Sequence, residues 1–154
     1  MEIKAPDNFA SAPKPWLFLA GSIELGMAEQ WQEKMVAYLA GWTVLNPRRA
    51  DWDASWEQSL FCPKFVEQVE WELAGLEGAD VVCFHFDPAT KSLVTLFELG
   101  LFRQKAIVHC PTGFWRKGNV DVVCRRYSIP QVESLEELAF MAMKRLAVIV
   151  GYEL

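Results

Sequence analysis

The sequence predicts an α/β fold: a mainly parallel sheet of five strands with helices on both faces. Short apolar runs alternate along the chain with longer segments whose apolar residues recur at helical spacing, as expected for strands joined by crossover helices. The runs are continuously apolar, which is typical of strands buried on both faces. No internal repeat or low-complexity tract divides the 154 residues. We therefore predict a single domain over residues 16–154, preceded by an extended, proline-bearing arm over residues 1–15.

Each element follows from a local pattern. The predicted strands, which are apolar runs ending at a turn signal, are 16–20, 42–45, 80–86 and 106–110, with a fifth at 127–129. The predicted helices, each with one apolar face, are 27–39, 64–77, about 93–104, and 134–150. Ser134 and Glu137 have the spacing of a capping box for the last helix. Residues 111–124 show neither pattern and are predicted to form a loop.

Composition and charge exclude several classes of protein. The chain is 52% hydrophobic with a net charge of -5, and no run of Lys or Arg stands out, so we expect no nucleic-acid partner. The first residues lack the positive head and apolar core of a signal peptide, and no apolar run has the length of a membrane span. We expect a cytoplasmic protein that does not bind membranes.

The cysteines and histidines indicate core positions, with no metal site. The four cysteines have no CxxC spacing and are predicted to be reduced, as in a cytosolic protein. Strand alternation puts Cys83 and His85 on one face but His109 and Cys110 on opposite faces, which disfavours a four-ligand site. GxGxxG and P-loop motifs are absent. We expect neither a metal nor a cofactor.

A ligand site is expected at the carboxyl edge of the sheet, where parallel α/β folds bind ligands. Polar and aromatic residues concentrate in the segments that follow the strands, namely 21–22, 46–53, 87–92 and 111–121. Gly21 would let the backbone approach a ligand closely. In the loop 46–53, Trp52 could stack on a flat ring while Asp51 reads its hydrogen-bonding edge. The alternative is that this loop is only a structured surface turn.

Two carboxylates are candidates for chemistry. Glu98 is the only charge in the run SLVTLFELGLF, and its helical neighbours at i−4, i+3 and i+4 are apolar. A carboxylate on such a face is either paired structurally or tuned for a reaction. Glu72 borders the apolar stripe of its own helix and could instead be an ordinary surface carboxylate.

Several segments resemble the nucleoside 2-deoxyribosyltransferase superfamily. They are LFLAGSI near the start, EWELAGLEGADVVCFHF in the middle and TLFELG after it. The segments NPRRADWD at 46–53 and GFWRKGNVD at 113–121 make the likeness closest to its nucleoside 2-deoxyribosyltransferase-like branch. The resemblance covers residues 16–138 in order, and it implies a flavodoxin-like or Rossmann-like three-layer fold.

The resemblance also implies an activity. Members of this superfamily cleave the N-glycosidic bond of 2′-deoxyribonucleosides through a covalent deoxyribosyl-enzyme and can pass the sugar to another base. Glu98 falls on the nucleophile, and a carboxylate suits attack on an oxocarbenium-like sugar carbon. Glu72 falls on the acid that protonates the base, which is usually Asp. Phe18 stands where a Tyr is common, and Ser92 where the superfamily has a second Asp.

The binding residues implied for one subunit are Phe18, Gly21, Ser22, Asn46, Arg48, Asp51, Trp52 and Ser92. The resemblance also implies that Asn119 and Asp121 contact the sugar end, from the same or a neighbouring subunit, because sites in this superfamily are commonly shared across a dimer. Asp121 would disfavour a 5′-phosphate. The expected partners are therefore a deoxynucleoside, a free base and a second copy of the chain in a homodimer or larger homo-oligomer.

Two other functions remain open on sequence alone. The protein could be an N-glycosidase that releases the base from a nucleoside or its 5′-monophosphate, with water resolving the intermediate. Alternatively, because a fold does not by itself prove activity, it could be a non-catalytic module that senses nucleosides or nucleotides.

Overall fold

A computed structural model describes residues 1–23 and 30–152. Its described residues form one parallel sheet of six strands in the order β1-β3-β2-β4-β5-β6. The strands are β1 Glu2–Lys4, β2 Trp16–Gly21, β3 Thr43–Asn46, β4 Val81–His85, β5 Ala106–His109 and β6 Gln131–Val132. The order reverses between β2 and β4, so the topology has the switch point at which open parallel sheets bind ligands.

Five helices cover the two faces of the sheet within the described ranges. They are α1 Trp31–Tyr38, α2 Pro63–Gly78, α3 Leu93–Phe102, α4 Lys117–Tyr127 and α5 Leu135–Ile149, with a 3₁₀ turn over Arg103–Lys105. Residues of α1 and α5 share one apolar core with the sheet, and residues of α2, α3 and α4 share the other. The predicted three-layer α/β architecture is confirmed, with six strands in place of the predicted five.

The additional strand lies in the N-terminal arm. Residues 2–4 pair in parallel with β3, in the register Glu2↔Val44 and Lys4↔Asn46. Farther along the arm, the Trp71 indole donates a hydrogen bond to the Asp7 carbonyl. The sequence hides this strand because an edge strand needs few apolar residues and tolerates charges.

The region from 111 to 129 corrects two predictions. The predicted loop 111–124 contains the start of α4, whose Val120 and Cys124 are buried against the sheet. The predicted strand 127–129 is wrong, because α4 continues to Tyr127 and the strand forms at 131–132. Gly and Val near the start of α4 weaken its intrinsic helical signal, and burial of one side compensates only in the folded protein.

The remaining elements agree with their sequence patterns to within a few residues. The Ser134 hydroxyl accepts a hydrogen bond from the Glu137 amide, which confirms the N-terminal cap of α5. The first predicted helix spans 27–39; residues 27–29 lie outside the described ranges, and α1 begins at Trp31. The third ends at Phe102 because the chain tightens into the 3₁₀ turn.

The four cysteines are free, and three of them are buried. The imidazoles of His85 and His109 stack on neighbouring strands with their Nδ1 atoms 3.0 Å apart. Over residues 1–23 and 30–152, no cluster of three or more His, Cys, Asp or Glu could hold a metal ion. None of the helices in these ranges is long and apolar enough to cross a membrane.

Candidate active site

A cleft of about 410 Å³ opens at the carboxyl edge of the sheet. Its walls come from four segments: the end of β2, the loop after β3, the first two-thirds of α2, and the start of α3. We call residues 47–62, which connect β3 to α2, the rim loop. The lining is mainly apolar, with carboxyl, amide and hydroxyl groups placed at a few points, which is the usual composition of a small-molecule site.

Glu98 projects from α3 into this cleft and is only 8% exposed. The helix starts just after Ser92, which has a left-handed backbone conformation with φ 47° and ends the preceding turn. Burial raises the pKa of Glu98 to about 8, and the nearby charge of Glu72 contributes in the same direction. Glu98 is therefore a carboxyl group whose ionisation is costly in the unliganded cleft.

Glu72 reaches the same cleft from the middle of α2. Burial raises its pKa to about 7, and a hydrogen bond from Gln68 partly opposes that rise. The Gln68 Nε2 lies 2.6 Å from Oε1 of Glu72, one helical turn away on α2. Glu72 is thus a partly buried, hydrogen-bonded carboxyl that lines the cleft.

The two carboxyl groups titrate as an interacting pair, because the charge on Glu72 raises the pKa of Glu98. With both values raised, the pair retains a proton near neutral pH. A pair in that state offers one carboxylate that can attack and one carboxylic acid that can donate a proton. Glycoside-cleaving sites use this combination.

Two glycines allow other side chains to pack closely against the backbone beside the cleft. A Cβ at Gly75 of α2 would lie 2.7 Å from the Phe18 ring, so the glycine lets α2 rest on β2. A Cβ at Gly21 would lie 2.5 Å from the Trp31 ring and 2.8 Å from the His85 carbonyl oxygen. Gly21 does line the cleft, but its missing side chain makes room for Trp31 in the core.

The structure brings together seven of the residues predicted from the sequence. The cleft is lined by Phe18, Gly21, Ser22, Trp52, Glu72, Ser92 and Glu98. They come from elements far apart in the chain and meet because the carboxyl ends of β2, β3 and β4 share one edge of the sheet.

Three other predicted binding residues lie outside the lining. The buried Asn46 donates to a Glu2 carboxylate oxygen and accepts from the backbone amide of Arg48. Asp51 forms a two-pronged ion pair with Arg49, with separations of 2.7 and 3.1 Å. As placed, Asn46 and Asp51 brace the rim loop; Arg48 also lies outside the cleft, with one guanidinium nitrogen buried.

Asn119 and Asp121 lie on α4 and do not line the cleft of their own chain. Asp121 accepts hydrogen bonds from Lys117 and from Gln131. The same sequence segment contributes to the site in another way, because the Trp115 indole donates to the Lys91 carbonyl just before α3. A role for Asn119 and Asp121 in a neighbouring subunit stays a prediction.

Sequence reasoning missed Gln68 and Arg49. Gln68 is 2% exposed, lines the cleft and contacts Glu72. Its position one helical turn before Glu72 was an available signal, since residues four apart share a helix face. The buried Arg49 gave no comparable signal, because its contact with α2 depends on the path of the rim loop.

The match to known families covers this whole cleft. Residues 14–114 match the family described as nucleoside 2-deoxyribosyltransferase like. This chain belongs to that family. As a nucleoside 2-deoxyribosyltransferase-like domain, it carries both carboxylates and every lining residue named above inside the matched span, whereas β1, α4 and α5 lie outside it. A search of curated proteins gave no match.

Proposed function

We propose that this protein is a nucleoside 2′-deoxyribosyltransferase, with a covalent deoxyribosyl-Glu98 intermediate. One observation supports the proposal most. Two carboxyl groups with raised pKa values share a mainly apolar cleft, in a chain whose family is nucleoside 2-deoxyribosyltransferase like. Such paired, perturbed carboxyls mark sites of acid–base and nucleophilic chemistry.

The first half-reaction uses each carboxyl once. The ionised Glu98 attacks C1′ of the deoxyribose, and the electron pair of the C1′–N bond leaves with the base. The protonated Glu72 gives its proton to a nitrogen of the departing base, so that the base leaves neutral. The productive state is therefore the pair with one proton, located on Glu72. In the unliganded cleft Glu98 has the higher pKa and holds that proton, so the proposed mechanism requires that substrate binding move the proton to Glu72.

The second half-reaction reverses these roles. A nitrogen of the incoming base attacks C1′ and the ester bond to Glu98 breaks, which restores the Glu98 carboxylate. Glu72 accepts the proton that the incoming base loses. If water replaced the second base, the same steps would give hydrolysis, which is the reaction of the alternative N-glycosidase function.

The lining favours an uncharged nucleoside over a nucleotide. Trp52, Phe65 and Phe18 present aromatic rings to the cleft, which suits a flat base. Lys91 is the one cation among the described residues that line it. A 5′-phosphate generally needs several cationic or backbone donors.

A second copy of the chain would cover the exposed apolar side of α3. Leu93, Val94, Phe97 and Leu101 of this helix are each about half or more exposed, and the first two also line the cleft. Apolar patches of this kind mark interaction sites. Continuity with the cleft supports a homodimer in which the partner closes the site.

The deciding experiment is a chromatographic assay. Purified protein is incubated with a panel of deoxynucleosides, each with and without a foreign base. Transfer produces a new nucleoside only when the foreign base is present. We expect Glu98→Gln to lower this rate by at least about 10³-fold, because a covalent nucleophile is lost. The matched control is Glu70→Gln, an exposed carboxylate on α2, which should keep wild-type activity.

Mass spectrometry of the peptide that carries Glu98 should show one added deoxyribosyl group when donor is supplied without acceptor. Release of free base without formation of a new nucleoside would show that the reaction is hydrolysis and not transfer. Deoxynucleoside binding without any product would favour the sensing module and overturn the enzymatic proposal.

A further inference from the structure

The strongest feature beyond the two carboxyls is the group that holds Glu72. We propose that Gln68, locked in orientation by Arg49 and Pro47, is a positioning residue that directs the acidic proton of Glu72 toward the cleft. This rests on the proposed function, because it concerns how the acid of that reaction is oriented. Nothing in the family match assigns a role to Gln68 or Arg49.

The Gln68 side chain is held at both ends. Its Nε2 donates to the Pro47 carbonyl at 2.8 Å and to Oε1 of Glu72 at 2.6 Å. Its Oε1 accepts from Nη1 of Arg49 at 3.4 Å. A flipped amide would set its oxygen against the Pro47 carbonyl oxygen and its NH₂ against the guanidinium. Only one orientation satisfies all three neighbours.

This orientation decides which oxygen of Glu72 can carry the proton. Oε1 faces an N–H donor, so a proton there would meet the proton of Gln68. When Glu72 is protonated, its proton therefore sits on Oε2. Glu72 lines the cleft, and in this proposal Oε2 is the oxygen that meets a bound base. The same hydrogen bond stabilises the carboxylate that remains after the proton has left.

Arg49 can fix Gln68 because it is fixed itself. It is 7% exposed, and its Nε and Nη2 form the two-pronged contact with Asp51. Its Nη1 also donates to Glu67 at 3.2 Å, and its guanidinium lies over the Trp56 ring at 5.0 Å. The carboxylates of Asp51 and Glu67 offset its charge, which lowers the free-energy cost of burying the guanidinium. The contacts connect the rim loop, through Gln68, to the acid on α2.

The test compares two substrates that differ only in their need for an acid. A natural deoxynucleoside needs a proton on its departing base, whereas nitrophenolate leaves from 4-nitrophenyl 2-deoxyriboside without one. For Gln68→Leu we expect kcat to fall about 10- to 100-fold with the deoxynucleoside and to stay within about twofold with the nitrophenyl substrate. Arg49→Lys keeps the positive charge but loses the forked guanidinium. It should lower kcat with the deoxynucleoside by a smaller factor than Gln68→Leu and leave kcat with the nitrophenyl substrate within about twofold. An equal fall with both substrates, or no fall, would overturn the role.

A second readout does not depend on turnover. Infrared or NMR titration of the Glu72 carboxyl in the free protein should show its pKa raised in Gln68→Leu, because a donor to the ionised form is lost. Glu70→Gln is the matched control and should leave that titration unchanged. An unchanged Glu72 titration in Gln68→Leu would overturn the inference. A wild type that titrates as expected but makes no product would instead overturn the proposed function.

Discussion

At the scale of single residues, ionisation of Glu98 has a free-energy cost that its surroundings do not offset. Both its burial and the neighbouring Glu72 disfavour its charged form, and its pKa rises to about 8. An apolar side chain at this position of α3 would avoid that free-energy cost. The cost is understandable if a poorly hydrated carboxylate is needed for attack on a sugar carbon.

Glu98→Gln should stabilise the protein at alkaline pH. A carboxyl whose pKa is higher in the folded than in the unfolded state favours folding while protonated, and this contribution is lost as pH rises through the folded value of about 8. The variant should gain roughly 2–4 kcal/mol over wild type at pH 9 and much less at pH 5. Urea unfolding at both pH values measures the difference. A gain of equal size at both would contradict the raised pKa.

The interaction between the two carboxyls should be visible in the pH dependence of catalysis. Transfer should follow a bell-shaped profile, because the singly protonated pair is the productive state. In Glu72→Gln, cleavage of 4-nitrophenyl 2-deoxyriboside should still need an ionised Glu98, with its midpoint at lower pH than in wild type, because the repelling charge is gone. A midpoint that does not move would mean that the two groups are not coupled.

At the scale of elements, α2 positions the site through its contact with β2. The helix carries Glu72 and Gln68, and Gly75 lets it approach the Phe18 ring. An error of a fraction of an ångström in this contact would be passed on to both side chains, because a helix moves largely as a rigid unit.

Gly75→Ala should therefore destabilise the protein by about 1–3 kcal/mol, despite the better helix propensity of Ala, because its methyl would overlap the Phe18 ring. Gly118→Ala is the control on α4, where nothing lies within 4 Å of the added methyl, and it should change stability by about 0.5 kcal/mol or less. Thermal unfolding compares the two. Equal effects would show that the contact with Phe18 tolerates a side chain.

At the scale of the whole molecule, the proposed homodimer would cover the exposed apolar side of α3. Phe97 is 64% exposed in the same helix that carries Glu98. Burying such a side chain against a second copy would contribute on the order of 1.5–3 kcal/mol per subunit.

Phe97→Asp should convert the proposed homodimer into a monomer and reduce the proposed transfer activity, because the partner would no longer close the cleft. Phe140→Asp provides the control, since Phe140 is similarly exposed but lies on α5, on the opposite face of the sheet. Light scattering coupled to size-exclusion chromatography gives the masses. A wild type that elutes as a monomer at all concentrations would rule out the shared site.

Much of the fold was predictable because its signals are local. The continuous apolar runs of β2, β4 and β5 and the periodic faces of α2 and α5 depend on residues a few positions apart. The short, charged β1 and the weak helix α4 lacked such signals, since both form only against a sheet that is already present. Strand prediction at 127–129 failed for the same reason.

The sequence by itself determined the α/β class, the edge of the sheet where the cleft opens, and the two carboxylates that face it. The tertiary structure alone decided that Arg49 of the rim loop reaches Gln68 on α2, next to Glu72. The physical reason is distance along the chain. Periodicity reports which face of an element is buried, whereas a hydrogen bond between the rim loop and α2 depends on where the loop runs after the sheet and helix have packed.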